Sequence, residues 1–407
     1  MKVSIDTRTL RPGEVYYALR GERLDGHDFV EAALEAGASA AVIAVSEQGR
    51  YPRVWAEKLR PVADPLASLQ ALAREHRRAW GGPLVAITGS AGKTTTKEMT
   101  AAVLGTRLRV MKSPGNRNNH IGLPLALLDL EPEHEVAVVE MGMNHAGEIA
   151  VLAGIALPNI GVFTNVGSAH LGNFDSIEGI AAAKRELALA IPPEGALVLN
   201  RDDARVASFA QGFAGRVVYY SAAGFTTPLL YPGAHNRANA AAATATGELF
   251  GIAPGAAAAA LAGLEPPPGR GQIVTTGGMT FLHDCYNANP EAMAQMLAVL
   301  AATPGQRHVA VLGEMRELGQ AAPRLHRELG AAAAAAQVDA LWAIGGEAAF
   351  IVEGARSAGF RGLAHFAPSA AEAAESLRAY LRPGDAVLFK ASRAVHLENL
   401  IAVLLPG

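Results

Sequence analysis

The sequence is poor in features that mark secreted and membrane proteins. It has a single cysteine, Cys285, so a disulfide framework is excluded and a reducing compartment is expected. The first residues, Met1–Asp6, lack the apolar core of a signal peptide. No stretch reaches the roughly 18 uninterrupted apolar residues that span a bilayer. We therefore expect a cytoplasmic protein without a membrane span.

An excess of charge of one sign is also absent. The formal net charge is −3, and the 35 lysine and arginine residues are spread along the chain without forming a basic tract. This distribution predicts no nucleic-acid partner.

The chain has 407 residues, which is too long for one ordinary core, so two or three domains are expected. We expect a monomer.

Alternating strand and helix patterns predict three α/β units in series, with parallel sheets and crossover helices. Gly81-Gly82-Pro83 and Pro266-Pro267-Pro268-Gly269 interrupt regular structure, and we place the unit boundaries there. The predicted units are residues 1–82, 83–268 and 269–407; the last resembles a dinucleotide fold but lacks a GxGxxG segment. The predicted strands are Val15–Leu19, Ala40–Ala44, Leu84–Thr88, Val136–Glu140, Ile160–Thr164, Ala196–Asn200, Thr280–Asp284, His308–Leu312, Ala340–Ile344 and Ala386–Phe389.

The most informative segment is TGSAGKTTT, residues 88–96, between an apolar run and a helical pattern. A strand, a glycine-containing loop and a helix N-terminus form a phosphate cradle, because backbone N–H groups and the helix dipole point at the anion. Lys93 is expected to reach the terminal phosphates, and the Thr94 hydroxyl to hold a magnesium ion. The nucleotide-binding residues predicted here are Gly89, Ser90, Ala91, Gly92, Lys93, Thr94 and Thr95.

This segment departs from the full phosphate-loop pattern at one position. The pattern has a glycine five residues before Gly92, where Ile87 stands. On its own the segment therefore predicts a nucleoside triphosphate site without naming a reaction. A glycine-rich turn that contains a lysine by coincidence is the alternative.

Three residues outside the loop are candidates for the chemistry. Glu140 ends an apolar strand, and its carboxylate is a candidate magnesium ligand because α/β sheets bind ligands at the carboxyl ends of their strands. A solvated loop glutamate is the alternative. His170 follows a predicted strand, and Lys184 lies in an alanine-rich helix. From the residues alone, a hydrogen-bonded loop histidine and a surface lysine are the better interpretations of these two.

Several segments, read in order, resemble the ATP-dependent Mur ligases, which make the peptide stem of bacterial peptidoglycan. They are GSAGKT (89–94), GNRNNHIG (115–122), EMG (140–142), His170, Lys184 and GAHNRANA (233–240). Within this family, DCYNANP (284–290), GEMRELG (313–319) and KASR (390–393) are similar to the member that adds D-alanyl-D-alanine. The segments 6–8 and 21–29 resemble its UDP-binding unit, although Thr7 stands where a serine is usual. The resemblance covers all three predicted units.

The resemblance implies an ATP-dependent amide ligase with three domains. These are a small N-terminal domain that binds the UDP substrate, a central ATP-binding domain, and a Rossmann-like C-terminal domain that binds D-alanyl-D-alanine and closes on ATP. The implied reaction joins D-alanyl-D-alanine to UDP-N-acetylmuramoyl-tripeptide through an acyl phosphate. The products are UDP-N-acetylmuramoyl-pentapeptide, ADP and phosphate. The third tripeptide residue stays open among lysine, diaminopimelate and ornithine.

The resemblance also assigns the metal ligands and the nucleotide contacts. Thr94 and Glu140 are implied to hold one magnesium ion, and His170 and a carbamylated Lys184 a second. Asn236 and Asn239 are expected to read adenine, with helix capping as the alternative. Arg270 is expected to reach ATP, with a structural hinge arginine as the alternative. Asp284 is expected to contact the ribose of the nucleotide.

The remaining candidates are expected to contact the two amide-forming substrates. Closing the site is the alternative for Asn287, Asn289 and the segment 390–393. A simple loop role is the alternative for the two asparagines at 118 and 119. The predicted substrate-binding residues are Thr7, Arg8, Gly26, His27, Asp28, Asn118, Asn119, Asn287, Asn289, Lys390, Ser392 and Arg393.

Three other functions fit parts of the pattern. The family member that adds the third stem residue carries an Asp-Asn-Pro-Arg segment, which this sequence lacks. Folylpolyglutamate synthase shares the loop and the lysine but has no unit like residues 1–82. A nucleotide-driven switch or motor would hydrolyse ATP without an amino-acid substrate.

Overall fold

The N-terminal part is a small parallel sheet with helices on its faces. A computed structural model describes residues 2–169 and 171–404 of the chain. The first elements are β1 (Val3–Ser4), β2 (Val15–Tyr17), α1 (Val30–Glu35), β3 (Ala40–Ala44), β4 (Leu59–Val62) and α2 (Pro65–Trp80). The strand order is β1-β2-β3-β4, and every neighbouring pair is parallel. β4 lies at an edge, where Pro61 does not cost a ladder hydrogen bond.

Helix α2 leads from this sheet to the next, and its ends follow from local sequence. The Asp64 carboxylate accepts from the N–H groups of Leu66 and Ala67, and Pro65 occupies the first turn, where its missing N–H is harmless. Gly81 ends the helix in the left-handed conformation with a φ of 73°.

The central part is a six-stranded sheet in which all neighbouring strands are parallel. Its elements are β5 (Leu84–Thr88), α3 (Lys93–Leu104), β6 (Val110–Lys112), α4 (Gly122–Leu127), β7 (Val136–Glu140), α5 (Glu148–Ala156), β8 (Ile160–Phe163), α6 (Ile177–Ala190), β9 (Ala196–Asn200), α7 (Ala204–Ala207), β10 (Arg216–Tyr220), α8 (Ala234–Leu249) and α9 (Pro254–Ala262). The strands β5, β7, β8 and β9 are buried on both faces, as expected of apolar strands in a parallel sheet. Helices α3, α8 and α9 cover one face, and α4, α5 and α6 cover the other.

The strand order of the central sheet, β10-β9-β8-β5-β7-β6, determines where a ligand can bind. The chain first builds the side of β5 that holds β6 and β7, and then the side that holds β8 to β10. Sheets of this kind form a crevice outside the carboxyl ends of the strands at such a reversal. The segment 89–92 leaves β5 at this point.

The C-terminal part is a second six-stranded sheet, in the order β11-β12-β16-β13-β14-β15. Its elements are β11 (Gln272–Thr276), β12 (Met279–Asp284), α10 (Pro290–Ala302), β13 (Arg307–Gly313), α11 (Ala322–Ala335), β14 (Ala340–Ile344), α12 (Ala349–Ser357), β15 (Leu363–Ala367), α13 (Ala370–Tyr380), β16 (Asp385–Lys390) and α14 (Leu397–Leu404). Only β11 is antiparallel to its neighbour among these described strands.

The α/β fold class predicted from the sequence is confirmed, and every predicted strand is present within two residues of its expected ends. Strands β1, β4, β6, β10, β11 and β15 were not predicted. Within residues 2–169 and 171–404, no helix combines the length and apolar character that crossing a membrane requires.

Candidate active site

The phosphate loop joins β5 to α3, and two glycines allow it to pack against its neighbours. A Cβ on Gly89 would lie 1.8 Å from the Thr164 hydroxyl oxygen, and one on Gly92 would lie 2.5 Å from Oδ1 of Asn239. Both positions therefore exclude any larger residue. The Lys93 Nζ atom donates to the Gly89 carbonyl over 2.8 Å, which folds this side chain back over the loop.

A second loop, which follows β8, holds the phosphate loop from the side. The Ala91 N–H donates to Oδ1 of Asn165 over 2.9 Å, and the Thr164 hydroxyl donates to the Ala91 carbonyl over 2.6 Å. Ser90 accepts from the Gly167 N–H over 2.9 Å. Asn165 was not predicted from the sequence. Its place directly beyond the carboxyl end of a buried strand is the signal that marks it.

Glu140 lies fully buried at the end of β7, and two side chains hold its carboxylate. The Thr94 hydroxyl donates to Oε2 over 2.7 Å, and the Asn118 amide donates to Oε1 over 2.7 Å. The alternative of a solvated loop glutamate is therefore wrong. A hydroxyl and a carboxylate are the hard oxygen ligands that Mg²⁺ prefers, so this pair fits such an ion. Among the described residues, no cluster of three or more His, Cys, Asp or Glu side chains could hold a metal by itself.

Lys184 is buried and lies close enough to Lys93 for the two charges to interact. Lys184, on α6, is only 2% exposed, so its interpretation as a surface lysine is wrong. Burial lowers the pKa of Lys184 well below its usual value, and the nearby charge of Lys93 acts in the same direction. Burial also lowers the pKa of Lys93; Glu140 and Glu317 oppose this, and Arg270 adds to it. The prediction for His170 falls on a residue outside the part of the chain that the structure describes.

Asn236 and Asn239 lie one turn apart at the start of α8 and are both buried. Asn239 accepts from the Thr96 hydroxyl over 3.1 Å and donates to Asn236 Oδ1 over 3.3 Å. The N-cap of the helix is Gly233, so helix capping does not explain either asparagine. Asn239 instead ties α8 to the phosphate-loop helix.

The C-terminal sheet contributes an ion pair at the ends of two adjacent strands. Asp284 ends β12 and Lys390 ends β16, and the two residues are register partners. Their side chains form a 2.6 Å ion pair, and Lys390 also donates to the Asn287 carbonyl over 2.9 Å. The Arg270 guanidinium lies 3.9 Å from the centroid of the Tyr286 ring, a cation–π distance that fixes its orientation.

The other predicted residues of the C-terminal part have local partners. Asn289 caps α10 by accepting from the Ala292 N–H over 2.8 Å. The Ser392 hydroxyl accepts from the Arg316 N–H over 2.9 Å and is buried. Arg393 is exposed and forms a 3.3 Å ion pair with Glu398.

A cavity of about 510 Å³, which we call the main cavity, lies beside the phosphate loop, and residues from all three parts of the chain border it, with Glu22 from the N-terminal part. Gly89, Lys184, Ser392 and Arg393 are not among the described residues at its border. The predicted residues that border it are Ser90, Ala91, Gly92, Lys93, Thr94, Thr95, Asn118, Asn119, Glu140, Asn236, Asn239, Arg270, Asp284, Asn287, Asn289 and Lys390. The geometry thus unites the phosphate loop, the carboxylate of Glu140 and the C-terminal ion pair at one site.

A second cavity, of about 750 Å³, lies between the N-terminal strands and the segment 114–129. Asn116, Asn118 and Asn119 border both cavities, so the two lie side by side, and we call the pair the groove. The residues of the N-terminal part at the border of the second cavity are Lys2, Val3, Ser4, Ile5, Asp6, Thr9, Arg11 and Glu14.

The five N-terminal residues predicted to bind substrate, Thr7, Arg8, Gly26, His27 and Asp28, are not among the described residues that border either cavity. His27 is buried; its Nε2 accepts from the Ala44 N–H over 3.0 Å, and its Nδ1 donates to Asp25 over 2.6 Å. Gly26 accepts from the Tyr16 hydroxyl, Arg8 pairs with Asp6, and Asp28 pairs with Arg50.

Known proteins similar to this chain match it in all three parts. Family models match as follows: the Mur ligase family catalytic domain at residues 2–77, the Mur ligase middle domain at 87–231, and the Mur ligase glutamate ligase domain at 269–393. A UDP-N-acetylmuramoyl-tripeptide–D-alanyl-D-alanine ligase from Synechocystis sp. is 39% identical over 99% of this chain and 91% of its own length.

Two solved structures are similar over nearly the whole chain. MurF from Acinetobacter baumannii is 30% identical with a TM-score of 0.89, covering 99% of this chain and 93% of that one. MurF ligase from Thermotoga maritima in complex with ADP is 30% identical with a TM-score of 0.86. The match covers 99% of this chain and 96% of the Thermotoga chain. These relatives, together with the geometry of the site, show that the chain belongs to the Mur ligase family.

Proposed function

We propose that this protein is an ATP-dependent ligase that joins D-alanyl-D-alanine to UDP-N-acetylmuramoyl-tripeptide. The observation that carries the proposal is the main cavity, which the phosphate loop, Glu140 and the Asp284–Lys390 pair border together. Relatives in Synechocystis sp. and Bacillus subtilis that bear this activity in their names are 39% and 36% identical over 99% of the chain. The pentapeptide product would serve peptidoglycan synthesis, and so cell shape and division.

Binding of ATP at the phosphate loop has separate support. The relative from Thermotoga maritima was solved with ADP. In this chain, Lys93, Thr94 and Thr95 in the first turn of α3 border the main cavity, where the phosphates of a nucleotide would lie. Arg270 borders the same cavity from the C-terminal side and adds positive charge there. Asn236, Asn239 and Asp284 are proposed to contact the adenosine part.

The proposed reaction has two steps, and both need charge stabilisation more than a protein nucleophile. The terminal carboxylate of the tripeptide attacks the γ-phosphorus of ATP, giving an acyl phosphate and ADP. The amine of D-alanyl-D-alanine then attacks the acyl carbon, loses a proton, and expels phosphate as the amide forms. Lys93 and Arg270 would stabilise the negative charge on the transferred phosphoryl group.

Thr94 and Glu140 are proposed to hold one magnesium ion, since their oxygens are 2.7 Å apart and buried. Such an ion supplies positive charge against the phosphate oxygens. Lys184, together with His170, is proposed to hold a second ion as a carbamate. The lowered pKa of Lys184 supports this, because carbon dioxide adds only to an uncharged amine.

The substrates are proposed to occupy the groove from end to end. The UDP group would lie toward the second cavity and the N-terminal residues Thr7–Arg8 and Gly26–Asp28, and the peptide would pass Asn118 and Asn119 to the main cavity. D-alanyl-D-alanine would approach from the C-terminal side, near Asn287, Asn289 and the segment 390–393.

The division into domains at residues 82 and 268 is also part of the proposal. Each proposed domain contains one sheet, and each family model lies within one of them. The C-terminal domain would close on ATP as a rigid body. Hydrogen bonds already join it to the central domain: Glu291 accepts from the Ser168 N–H over 2.8 Å, and the Gly172 N–H donates to the Glu317 carbonyl over 2.9 Å.

We propose a cytoplasmic monomer, in line with ATP as a substrate and a free, buried Cys285.

Phosphate release measured with each component omitted in turn tests the proposed function. We expect release only when ATP, Mg²⁺, UDP-N-acetylmuramoyl-tripeptide and D-alanyl-D-alanine are all present. Tripeptides that end in lysine, diaminopimelate or ornithine would then identify the accepted third residue. Steady ATP hydrolysis without the two peptide substrates would contradict the proposal and favour a switch or motor.

A further inference from the structure

Lys97 is a buried cation that the proposed reaction does not use. It lies on α3, one helical turn after Lys93, and its side chain is 0% exposed. Removing an ammonium group from water costs several kcal/mol unless good partners replace the water. The partners of Lys97 therefore indicate what its charge is for.

The Lys97 ammonium group donates to two backbone carbonyls, those of Ser113 and Gly115, each at 2.7 Å. It also forms an ion pair with the Glu98 carboxylate, in which Nζ lies 3.3 Å from Oε1. Two hydrogen bonds and one opposite charge thus replace the water that burial removes. The charge is thus directed at the backbone of one short segment.

That segment, residues 113–118, connects the edge of the central sheet to the site. It begins at the end of β6, where the Ser113 N–H donates to the Val138 carbonyl over 3.0 Å. The backbone turns at Gly115, which has a φ of 53°. At the other end, Asn118 donates to Oε1 of Glu140 over 2.7 Å and accepts from the Gly142 N–H over 2.8 Å.

Helix α3 therefore holds Glu140 by two routes. Thr94, three residues before Lys97 on the same helix, donates directly to Oε2 over 2.7 Å. Lys97 acts on Oε1 through the segment 113–118 and the Asn118 amide. Because the helix also begins with Lys93, one rigid element carries the phosphate-binding lysine and both supports of the carboxylate.

We propose that Lys97 is a positioning residue: it holds the segment 113–118 so that the Asn118 amide stays on Glu140. The role in catalysis rests on the proposed function. Partners of this kind, which orient a metal ligand without touching the metal, typically change metal affinity or activity 10- to 100-fold when removed.

Lys97→Met tests this, since it keeps the length of the side chain and removes the charge. We expect kcat to fall about 10- to 100-fold and the Mg²⁺ concentration for half-maximal rate to rise by a similar factor. The KM for ATP should stay within about twofold, because the contacts of the phosphate loop are untouched. An ATP KM that rises as much as kcat falls would overturn the proposal.

Lys112→Met is the matched control. Lys112 pairs with the same Glu98 carboxylate, but its side chain is 51% exposed. It should change kcat by less than about twofold, as is usual for an exposed ion pair. An equal loss in both variants would assign the effect to Glu98 and overturn the proposal.

Hydrogen exchange without ligands or Mg²⁺ gives a second readout that does not depend on turnover. In Lys97→Met we expect faster exchange of the amides in residues 113–119 and unchanged exchange in residues 89–96. Unchanged exchange in residues 113–119 would show that Lys97 does not hold the segment.

A double-mutant cycle with Asn118→Ala tests the route from Lys97 to Glu140. If Lys97 acts through the Asn118 amide, the double variant should lose no more than about twofold beyond Asn118→Ala alone. Losses in kcat that multiply would overturn the proposal.

Gly115→Val is the variant that tests the role of the segment 113–118 if Lys97→Met does not fold. Gly115 has a φ of 53°, which strains a β-branched residue, and a Cβ there has nothing within 4 Å, so this change disturbs the backbone of the segment. It should reproduce the lower kcat with an unchanged KM for ATP, and wild-type kinetics would contradict the proposal. A wild-type enzyme without ligase activity would instead refute the proposed function.

Discussion

The two cavities of the groove differ in how their charges are held. At the main cavity Glu140 is fully buried with both oxygens hydrogen-bonded, and Asp284 and Lys390 form a largely buried ion pair. At the second cavity, Asp6 pairs with Arg8, whose side chain is 86% exposed. Buried charges interact strongly and resist displacement, whereas exposed pairs are screened by water and salt. The first arrangement suits chemistry and the second suits reversible binding.

The largest expected effect is that of Lys93→Met. The main cavity would lose the cation that reaches the phosphates, so kcat should fall about 100- to 1000-fold. Phosphate release at saturating substrates measures this, with the thermal midpoint as a check on folding. A variant that keeps more than a tenth of the wild-type kcat would show that buried charge at this cavity does not drive the reaction.

Lys184→Ala should be the next most severe change, with a loss of about 100-fold in kcat. If the working form is a carbamate, short carboxylic acids should restore part of the activity by entering the space left by the side chain. The wild-type enzyme should also lose activity in buffer stripped of carbon dioxide and regain it with bicarbonate. Full activity of the wild type without carbon dioxide would contradict the carbamate.

A third prediction concerns stability in the N-terminal domain. Burial by itself would raise the pKa of Asp25, but hydrogen bonds from His27 and Arg20 outweigh this effect. They lower the pKa to about 2, from a usual value of 3.8. A lowered folded-state pKa gives stability that is present above about pH 4 and is lost as the pH falls toward 2. Asp25→Asn should therefore cost on the order of 1 kcal/mol at pH 7 and less at pH 2. Urea unfolding of both proteins across this range measures the difference, and equal costs at both pH values would contradict it.

The smallest expected effect is that of Arg8→Ala, which removes the partner of Asp6 at the border of the second cavity. Because its pair with Asp6 is exposed, the KM for the UDP substrate should rise only about threefold, with kcat unchanged. Steady-state kinetics at low and moderate salt measures this, and salt should reduce the difference. A large fall in kcat would mean that the two ends of the groove do not differ as described.

Long apolar strands were the predictable part of the fold. Strands such as Val136–Glu140 are buried on both faces, and a run of apolar residues indicates them directly. The strands that were missed are short or at edges. β1 has two residues and β6 three, and β4 contains Pro61, which argues against a strand unless an edge is available.

Within the site, the residues that could be predicted from the sequence are those whose positions follow from the loop backbone and from the ends of the strands. The phosphate loop and Glu140 lie at the carboxyl ends of β5 and β7, a position that parallel topology dictates. Lys184 was reached only through the family resemblance, because the burial of one lysine in an alanine-rich helix depends on tertiary packing. The border of the second cavity could not be predicted, since it arises where the N-terminal strands meet the segment 114–129, which is distant in sequence.

Asn118 links the occupancy of the two cavities. It borders both of them and donates to Glu140, so a ligand that reoriented its amide in one cavity would change the affinity of the other site. Thermodynamic linkage makes such an effect reciprocal. If the proposed divalent cation increased the affinity for the UDP substrate, that substrate would increase the affinity for the cation by the same factor. One asparagine side chain would thus give the two ends of the groove cooperative occupancy without any movement of a domain.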